Sequence, residues 1–304
     1  MAKMTFLKKE PNTQEKTLKY WLHQHYAGVD EPRLPKTVHA SELTKPEGFC
    51  PRFYALYDMT KEKPRGRYLS TSEKLTFQMG RDQERNVVNA FADMNKAICH
   101  WRCVACSRLH EFQSRPFKCE GCGVRRFDPV EVRFESALNG ASCGVDMLVA
   151  MGEPKLRPVE LKTIAAEKFK ELQAPLAEHR LRTTLYLRIL AECDHNWSNM
   201  VSCEKATILY VAKNAFGAMD ASLAAQGIKE KFSPFKEFTV TRNDALVEGI
   251  CRRAAVVKEW REGKRGMPAG ICSTAFNKRA QSCDYQTSCF SGDFPVESVW
   301  EGCA

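Results

Sequence analysis

The sequence predicts an α/β protein in which a mixed central sheet is flanked by helices, with a cysteine-rich insert before the core and a helical C-terminal segment after it. Strand-like and helical runs follow one another in a β-β-β-α-β order, which is typical of such a sheet. These runs cover residues 130–138, 144–151, 157–163, 173–193 and 206–213. A long amphipathic run precedes them, and the periodicity then stops where four cysteines occur in two close pairs.

These patterns divide the chain into five segments. The predicted segments are an N-terminal appendage (1–38), a helical segment (39–100), a cysteine-rich insert (101–125), a core (126–215) and a helical C-terminal segment (216–304). Helical patterns are expected at 14–25 in the appendage, at 72–96 before the insert and at 244–263 near the end.

Composition limits the classes of protein that fit. The formal net charge is +9, from 46 Lys and Arg against 37 Asp and Glu, which suits a polyanionic partner such as nucleic acid without identifying one. No apolar run approaches the roughly 18 residues that a membrane helix needs, and the first residues lack the features of a secretory signal. We therefore expect a cytoplasmic protein with no membrane partner, in the host cytoplasm if the gene belongs to a phage.

Two acids and a lysine on neighbouring predicted strands indicate a divalent-cation site. Glu160 and Lys162 are two residues apart, which places both side chains on one face of a strand, and Asp146 lies on the strand before. Carboxylate oxygens suit Mg²⁺ or Mn²⁺, which can activate water against a phosphodiester, while a lysine can offset the charge on the phosphate. An E-x-K triplet alone is more often a solvated surface pair. Apolar neighbours such as Val145 and Leu161 favour a buried site, where unpaired acids need a cation or another partner.

The cysteine-rich insert has the spacing of a zinc ribbon. Cys103 and Cys106 form one C-x-x-C pair, Cys119 and Cys122 form another, and glycines surround the second pair. Four such thiolates suit tetrahedral Zn²⁺, and so short a module has too small a core to fold without the metal. Its six basic residues are Arg102, Arg108, Arg115, Lys118, Arg125 and Arg126. They could bind a nucleic-acid backbone, and a structural or partner-docking role is equally open.

The acid and lysine motif resembles the core of the RecB-like branch of the PD-(D/E)XK nucleases. The matching residues are Gly144-Val145-Asp146 and Val159-Glu160-Leu161-Lys162-Thr163. The resemblance implies a restriction-endonuclease-like core with Asp146, Glu160 and Lys162 as its catalytic residues. That branch carries an upstream G-x-x-x-H whose histidine binds metal; Gly80 and Glu84 match this spacing with a glutamate in place of the histidine. Glu84 is thus implied as a third metal ligand, and an ordinary exposed helix glutamate is the alternative.

The same branch has a helix after the lysine strand that lines the DNA path, with a histidine followed by Q-x-x-x-Y. His179 and Tyr186 fall at the expected positions, and Arg182 stands where the glutamine would be. The resemblance therefore implies DNA contacts by these three residues. An arginine can still bind a phosphate with two hydrogen bonds, and core packing is an equal alternative for Tyr186.

Four further cysteines resemble the iron–sulfur ligands of this branch, which includes AddB and CRISPR-associated members. Cys50 lies ahead of the core, in Cys50-Pro51-Arg52-Phe53-Tyr54, and Cys272, Cys283 and Cys289 lie near the end. Cys283 and Cys289 keep the family's final C-x5-C spacing, whereas Cys272 is farther from Cys283 than in the family. The resemblance implies a structural [4Fe–4S] cluster at these four residues, with Zn²⁺ as the second choice.

Together these features predict an Mg²⁺- or Mn²⁺-dependent deoxyribonuclease. An exonuclease acting on single-stranded or end-containing DNA in recombination, repair or phage replication is favoured, and a helicase or recombinase partner and a homo-oligomer fit that role. A non-catalytic nucleic-acid-binding or assembly protein that uses the zinc ribbon is the alternative. A nuclease acting on RNA is the third hypothesis.

Overall fold

The computed structural model describes residues 18–26, 28–30, 37–45, 48–62, 64, 67–213 and 218–293. The helices are α1 (Leu18–Tyr26), α2 (Ala40–Leu43), α3 (Pro51–Thr60), α4 (Thr71–Asp93), α5 (Ala166–Glu171), α6 (Ala177–Glu192), α7 (Ser222–Ala225), α8 (Asp244–Arg261), α9 (Lys278–Gln281) and α10 (Gln286–Phe290), with a 3-10 turn at Ser198–Met200. The first part of the helix predicted at 14–25, and residues 31–36 of the predicted appendage, lie outside the described residues.

The strands form one large sheet, one three-stranded sheet and two short pairs. They are β1 (Gly28–Asp30), β2 (Val38–His39), β3 (Arg67–Leu69), β4 (Ala97–Cys103), β5 (Leu109–Gln113), β6 (Phe127–Val130), β7 (Val132–Glu135), β8 (Ala141–Val145), β9 (Met147–Val149), β10 (Arg157–Ile164), β11 (Lys205–Ala212), β12 (Ala218–Met219), β13 (Phe232–Ser233) and β14 (Phe235–Thr241).

The predicted mixed central sheet flanked by helices is confirmed. Its strand order is β14-β11-β10-β9-β4-β5, and β6 also pairs with β4. Among the described strands of this sheet, β10 and β11 are the parallel pair, and α5 and α6 form the crossover that a parallel pair requires. Helix α4 packs against β10, and α5 and α6 pack against β11. This arrangement is consistent with a restriction-endonuclease-like core.

The predicted run at 144–151 is divided between two sheets. Strand β8 pairs with β7 and β2 in the three-stranded sheet, whereas β9 pairs with β10 and β4 in the central sheet. Asp146 is the single residue between β8 and β9. The chain therefore changes sheets at Asp146, which places this partly buried residue at the junction of the two sheets.

The central sheet draws on residues beyond the predicted core at 126–215. Strand β14 comes from the segment expected to be helical, and β4 comes from before the insert. The first residues of β4 pair with β9, and the same strand then continues to pair with β5 and β6 next to the cysteine pairs. The cysteine-rich module is thus an extension of a central strand. On β4 itself, one face is buried throughout, at Ala97, Cys99, Trp101 and Cys103.

Helix α4 is positioned by its ends and by one glycine. The Ser70 hydroxyl accepts a hydrogen bond from the Glu73 amide, and the Glu73 carboxylate accepts one from the Ser70 amide, which is a capping box. Gly80 is buried against β10, where an added Cβ would lie 3.2 Å from the Thr163 hydroxyl oxygen. This close approach brings Glu84, one turn later, towards the centre of the sheet. In the described part of the chain, no helix is both long and apolar enough to cross a membrane.

Candidate active site and cysteine centres

Asp146, Glu160 and Lys162 lie together where the chain passes from one sheet to the other. The Leu161 amide donates a hydrogen bond of 2.7 Å to Asp146 Oδ2, which joins the sheet junction to β10. Lys162 Nζ is 2.6 Å from Glu160 Oε1, and the Glu160 side chain is only 5% exposed. The three side chains predicted from the E-x-K triplet and the preceding strand therefore converge on one partly buried site.

The charges at this site oppose each other. Burial and the Glu160 carboxylate raise the pKa of Asp146 well above its ordinary value, and the Lys162 ammonium and Leu161 amide reduce that effect. Although burial favours the neutral amine, the carboxylates of Glu160 and Asp146 raise the pKa of Lys162 above its ordinary value. Lys162 thus compensates for part of the acidic charge, and the site retains an excess of negative charge that a cation could balance.

Glu84 reaches the same electrostatic environment from α4. Burial raises its pKa, the Lys162 ammonium lowers it, and the carboxylates of Glu160 and Glu131 raise it. The side chain of Glu84 is partly buried. This position fits a carboxylate directed towards the site better than a solvated glutamate on an exposed helix face.

Glu131 is a fourth acid of the site, and the sequence reasoning missed it. It lies between β6 and β7, and its carboxylate occupies the space in which a Cβ on residue 144 would stand, so Gly144 leaves room for it. Its charge contributes to the raised pKa of Asp146 and Glu84. The register of β7 with β8 pairs Arg133 with Gly144 and so directs the start of β7 towards Asp146, and no local sequence pattern indicates this register.

The three residues predicted to contact DNA occupy different environments on α6. His179 Nδ1 is 2.8 Å from the Tyr210 hydroxyl, and burial, together with Lys162 and Arg182, lowers the pKa of His179 to about 4. Arg182 is partly exposed, and its Nε donates to the Thr44 hydroxyl at 3.3 Å. Tyr186 is 5% exposed and belongs to the hydrophobic core, and burial, followed by the charge of Glu160, raises its pKa. His179 and Arg182 are therefore near the site surface, and Tyr186 packs behind the site.

The four cysteines of the ribbon form a compact tetrad. The Sγ atoms of Cys103 and Cys122 are 3.5 Å apart, as are those of Cys106 and Cys119, and all four lie within 4.8 Å of one another. A tetrahedral zinc site with Zn–S bonds of about 2.3 Å has sulfur atoms about 3.8 Å apart. Gly123 has a φ of +74°, which permits the tight turn after the second pair. The four-cysteine group can hold a metal ion.

The electrostatics of these thiols also favour a bound cation. Backbone amides of Cys106 and Ala105 lower the pKa of Cys103 to about 6. The Val124 amide lowers the pKa of Cys122, but the surrounding sulfur atoms raise it to about 12 overall. All four thiols cannot ionise at this spacing unless positive charge is present among them.

The second set of cysteines lines one cavity of about 240 Å³ between α3 and the C-terminal segment. Cys50, Cys272, Cys283 and Cys289 all face it, although more than 200 residues separate the first from the others. Among the described residues, the ribbon tetrad is the one group of at least three His, Cys, Asp or Glu side chains in which every ligand atom lies within 4.8 Å of every other. The sulfur atoms of the second set are therefore spaced more widely, as are the carboxylates around Asp146.

A buried arginine accompanies the second set. Arg52 is 4% exposed, its Nε donates to Cys289 Sγ at 3.2 Å, and its Nη1 donates to the Pro268 carbonyl at 3.3 Å. Burial raises the pKa of Cys283, the Tyr285 amide reduces that effect, and the neighbouring Cys50 and Cys289 thiols add to it. The cavity thus combines four sulfur ligands with a fixed positive charge, which suits an anionic metal–thiolate centre.

Comparison with known proteins gives remote structural similarity alone. No family model matches this sequence, and no curated protein matches it significantly. The solved structure of SSO0001 is similar over 90% of this chain and 94% of its own, with a TM-score of 0.37 and 14% identity. The alkaline exonuclease LHK-Exo of Laribacter hongkongensis is similar over 75% of this chain and 89% of its own, with a TM-score of 0.36 and 11% identity; its complex with dAMP gives 0.39 and 11%.

Proposed function

We propose that this protein is a metal-dependent nuclease of the RecB-like PD-(D/E)XK type that hydrolyses phosphodiester bonds in DNA. The convergence of Asp146, Glu160 and Lys162 at the junction of two sheets carries the proposal. Two strands and a sheet change hold these groups, so the arrangement does not depend on flexible loops. Glu84 and Glu131 add negative charge from two other elements.

The chemistry follows from the donor set. Asp146, Glu160 and Glu84 would hold Mg²⁺ or Mn²⁺, hard cations that prefer carboxylate oxygens. When bound, such a cation polarises a phosphodiester oxygen and lowers the pKa of water, which supplies the nucleophile. The Lys162 ammonium forms an ion pair with Glu160. With a metal cation bound to Glu160, this ammonium would be available to donate to a phosphate oxygen and to orient the attacking water.

The biological role belongs to the same proposal. The enzyme acts as an exonuclease on single-stranded or end-containing DNA during recombination, repair or phage replication in the cytoplasm. Arg182 at the edge of the site contributes a phosphate contact, and His179, whose lowered pKa keeps it neutral at pH 7, contributes a polar contact beside it. A helicase or recombinase partner and a homo-oligomeric assembly fit this role.

Different metals fit the two cysteine sets. The sulfur spacing of 3.5 Å in the ribbon supports Zn²⁺ at Cys103, Cys106, Cys119 and Cys122. The wider spacing of the second set around a cavity of about 240 Å³ favours a [4Fe–4S] cluster over a single Zn²⁺, because four irons and four sulfides fill the space between the thiolates. That cluster would tie the C-terminal segment to α3 and have a structural role.

The test is degradation of end-labelled linear DNA by protein that is purified anaerobically and freed of loosely bound divalent ions. Single-stranded DNA, double-stranded DNA and a matched RNA strand are each incubated with Mg²⁺, Mn²⁺ or Ca²⁺. We expect cleavage of DNA with Mg²⁺ or Mn²⁺, and products that shorten progressively from an end. DNA binding without cleavage under every metal would support the non-catalytic binding protein instead, and faster cleavage of the RNA strand would identify a ribonuclease.

A further inference from the structure

Two exposed side chains, Phe117 and Arg125, flank the second cysteine pair, and we call the surface around them the ribbon tip. Phe117 is 72% exposed, and the Arg125 guanidinium lies over its ring, 4.1 Å from the ring centroid. Phe117 lies between the two cysteine pairs, and Arg125 follows the second pair. A metal ion at the four cysteines would therefore fix the backbone that carries both side chains. The Phe117 ring thus remains in water, whereas the nearby Trp101 and Phe127 are buried in the main hydrophobic core.

The charge of the ribbon remains positive after its internal pairs are considered. Residues 101–126 contain six Lys and Arg residues and two acids, a net charge of +4 (6 − 2), and a Zn²⁺ with four thiolates would reduce this to +2. Arg108 pairs with Glu120 at 3.1 Å, and Arg115 pairs with Asp93. The remaining four, all exposed and without an acidic partner in the described part of the chain, are Arg102, Lys118, Arg125 and Arg126.

The ribbon is directly connected to the acidic site. After Arg125 and Arg126 the chain runs through β6 to Glu131, and six residues of extended chain span at most about 20 Å. Asp128 on β6 lies 3.8 Å from Arg85, the neighbour of Glu84 on α4. A nucleic-acid strand bound at the ribbon tip would therefore be within about six stacked nucleotides of the carboxylates, at about 3.4 Å for each nucleotide.

We propose that the ribbon tip is a docking surface for single-stranded DNA, in which an unpaired base stacks on Phe117 and phosphates bind Arg125, Lys118 and Arg126. An exposed aromatic ring favours a single strand, since the bases of a duplex are already stacked on one another. Exposed cations without acidic partners favour a polyanion over a neutral protein surface. Binding of a single strand at the tip needs no catalysis. The inference rests on the proposed function only for the further step in which the bound strand reaches the carboxylate site.

The experiment measures the binding of fluorescent oligothymidylate and of a hairpin duplex of equal charge by anisotropy, with Ca²⁺ replacing the catalytic ion. Phe117→Ala is compared with wild type and with Phe276→Ala, which changes an even more exposed phenylalanine (87%) outside the ribbon. We expect Phe117→Ala to weaken single-strand binding by about 5- to 100-fold, the range for loss of one stacked base, with little change in hairpin binding and in zinc content. We expect Phe276→Ala to bind like wild type.

A second variant separates charge from stacking. Arg125→Gln with Lys118→Gln should reduce the slope of log K against log salt by about 1.4, since each phosphate contact on a single strand contributes about 0.7. Unchanged single-strand affinity in Phe117→Ala with full zinc content would overturn the proposal, and an equal loss for the hairpin would overturn the single-strand assignment. Cleavage of a dinucleotide, which has no further base to stack on Phe117, should be the same in wild type and Phe117→Ala. Absence of all cleavage would contradict the proposed function while leaving the binding result interpretable.

Discussion

The ribbon tetrad and the carboxylate site both gather four potential metal-binding groups, but they do so in opposite ways. The tetrad comes from residues 103–122, and its sulfur atoms already stand at the spacing of a metal site. The acids at the sheet junction come from α4, the β6–β7 link, the β8–β9 junction and β10. Their oxygens are held farther apart, and a lysine ammonium compensates for the charge of Glu160.

The difference corresponds to what each site would do. A structural metal site is closed and needs its ligands fixed, which two short turns within a ribbon can achieve. A hydrolytic site must admit a cation, water and a phosphate, and more widely spaced acids whose charge Lys162 partly compensates leave room for all three. The pKa of Asp146 is still raised, because burial and the Glu160 carboxylate make its charged form unfavourable in the folded protein.

Replacing the lysine should produce the largest effect on the proposed activity. Lys162→Met removes the ammonium that would stabilise charge on the phosphate, and we expect the cleavage rate to fall by at least about 100-fold, as for other groups that stabilise a charged transition state. Lys168→Met, which changes an exposed lysine on α5, is the matched control and should cleave at the wild-type rate. Equal rates for both variants would show that Lys162 has no catalytic role.

Breaking the tetrad should affect the ribbon and leave the carboxylate site intact. Cys119 is buried, and Cys119→Ser removes one of four thiolates, so we expect loss of about one equivalent of zinc per chain, measured by atomic emission spectroscopy on the purified protein. Cys203→Ser is the control, because Cys203 lies outside both cysteine sets. Full retention of zinc in Cys119→Ser would place the metal elsewhere.

Sequence reasoning succeeded where the chemistry is local. The two C-x-x-C pairs fix their own geometry within a few turns, and Glu160 and Lys162 share a strand face because strands have a period of two. The long helix predicted at 72–96 begins and ends within a few residues of α4 (Thr71–Asp93), since its capping box and amphipathic pattern are contiguous.

It failed where the outcome depends on distant pairing. Glu131 and Glu135 are both acids on the same predicted strand, and only the register of β7 with β8 makes Glu131 a neighbour of Asp146. The bend that sends residues 141–149 into two sheets has no signal in a continuous apolar run. Strand β14 joins the sheet by pairing with β11, although the segment around it was expected to be helical.

Neutralising Asp146 should stabilise the cation-free protein. The folded-state pKa of Asp146 is raised, so between the unfolded pKa near 4 and the folded pKa the native state binds a proton that the unfolded state has lost, and the free energy of unfolding falls as pH rises. Asp146→Asn removes this penalty while its side-chain oxygen can still accept from Leu161. We expect thermal unfolding at pH 8 without divalent ions to shift upward by about 2 °C, from about 1 kcal/mol.

The pH dependence provides the control for that variant. Below about pH 4 Asp146 is protonated in both states, so the difference between Asp146→Asn and wild type should disappear there. A stability difference of the same size at low and neutral pH would mean that charge on Asp146 is not its cause.

The smallest expected effect comes from the glycine beneath Glu131. A Cβ in Gly144→Ala would clash with the Glu131 carboxylate and force it away, so we expect about 10-fold weaker Mn²⁺ binding, as for loss of a supporting group. Glu131→Gln should give the same loss, and the two changes together should not add. Gly249→Ala on α8, where an added Cβ meets nothing within 4 Å, should leave Mn²⁺ binding unchanged. Additive losses in the double variant would show that Gly144 acts independently of Glu131.

The most direct test of the carboxylate site is the rate of DNA cleavage as a function of Mn²⁺ concentration, in wild type and in Glu160→Gln. Glu167→Gln, which alters an exposed acid on α5, is the matched control and should behave as wild type. We predict that Glu160→Gln stays at least about 100-fold slower even at saturating Mn²⁺ while it binds DNA normally, because a metal ligand and the partner of Lys162 are both lost. Cleavage by Glu160→Gln at the wild-type rate would contradict the assignment of this site as the catalytic centre.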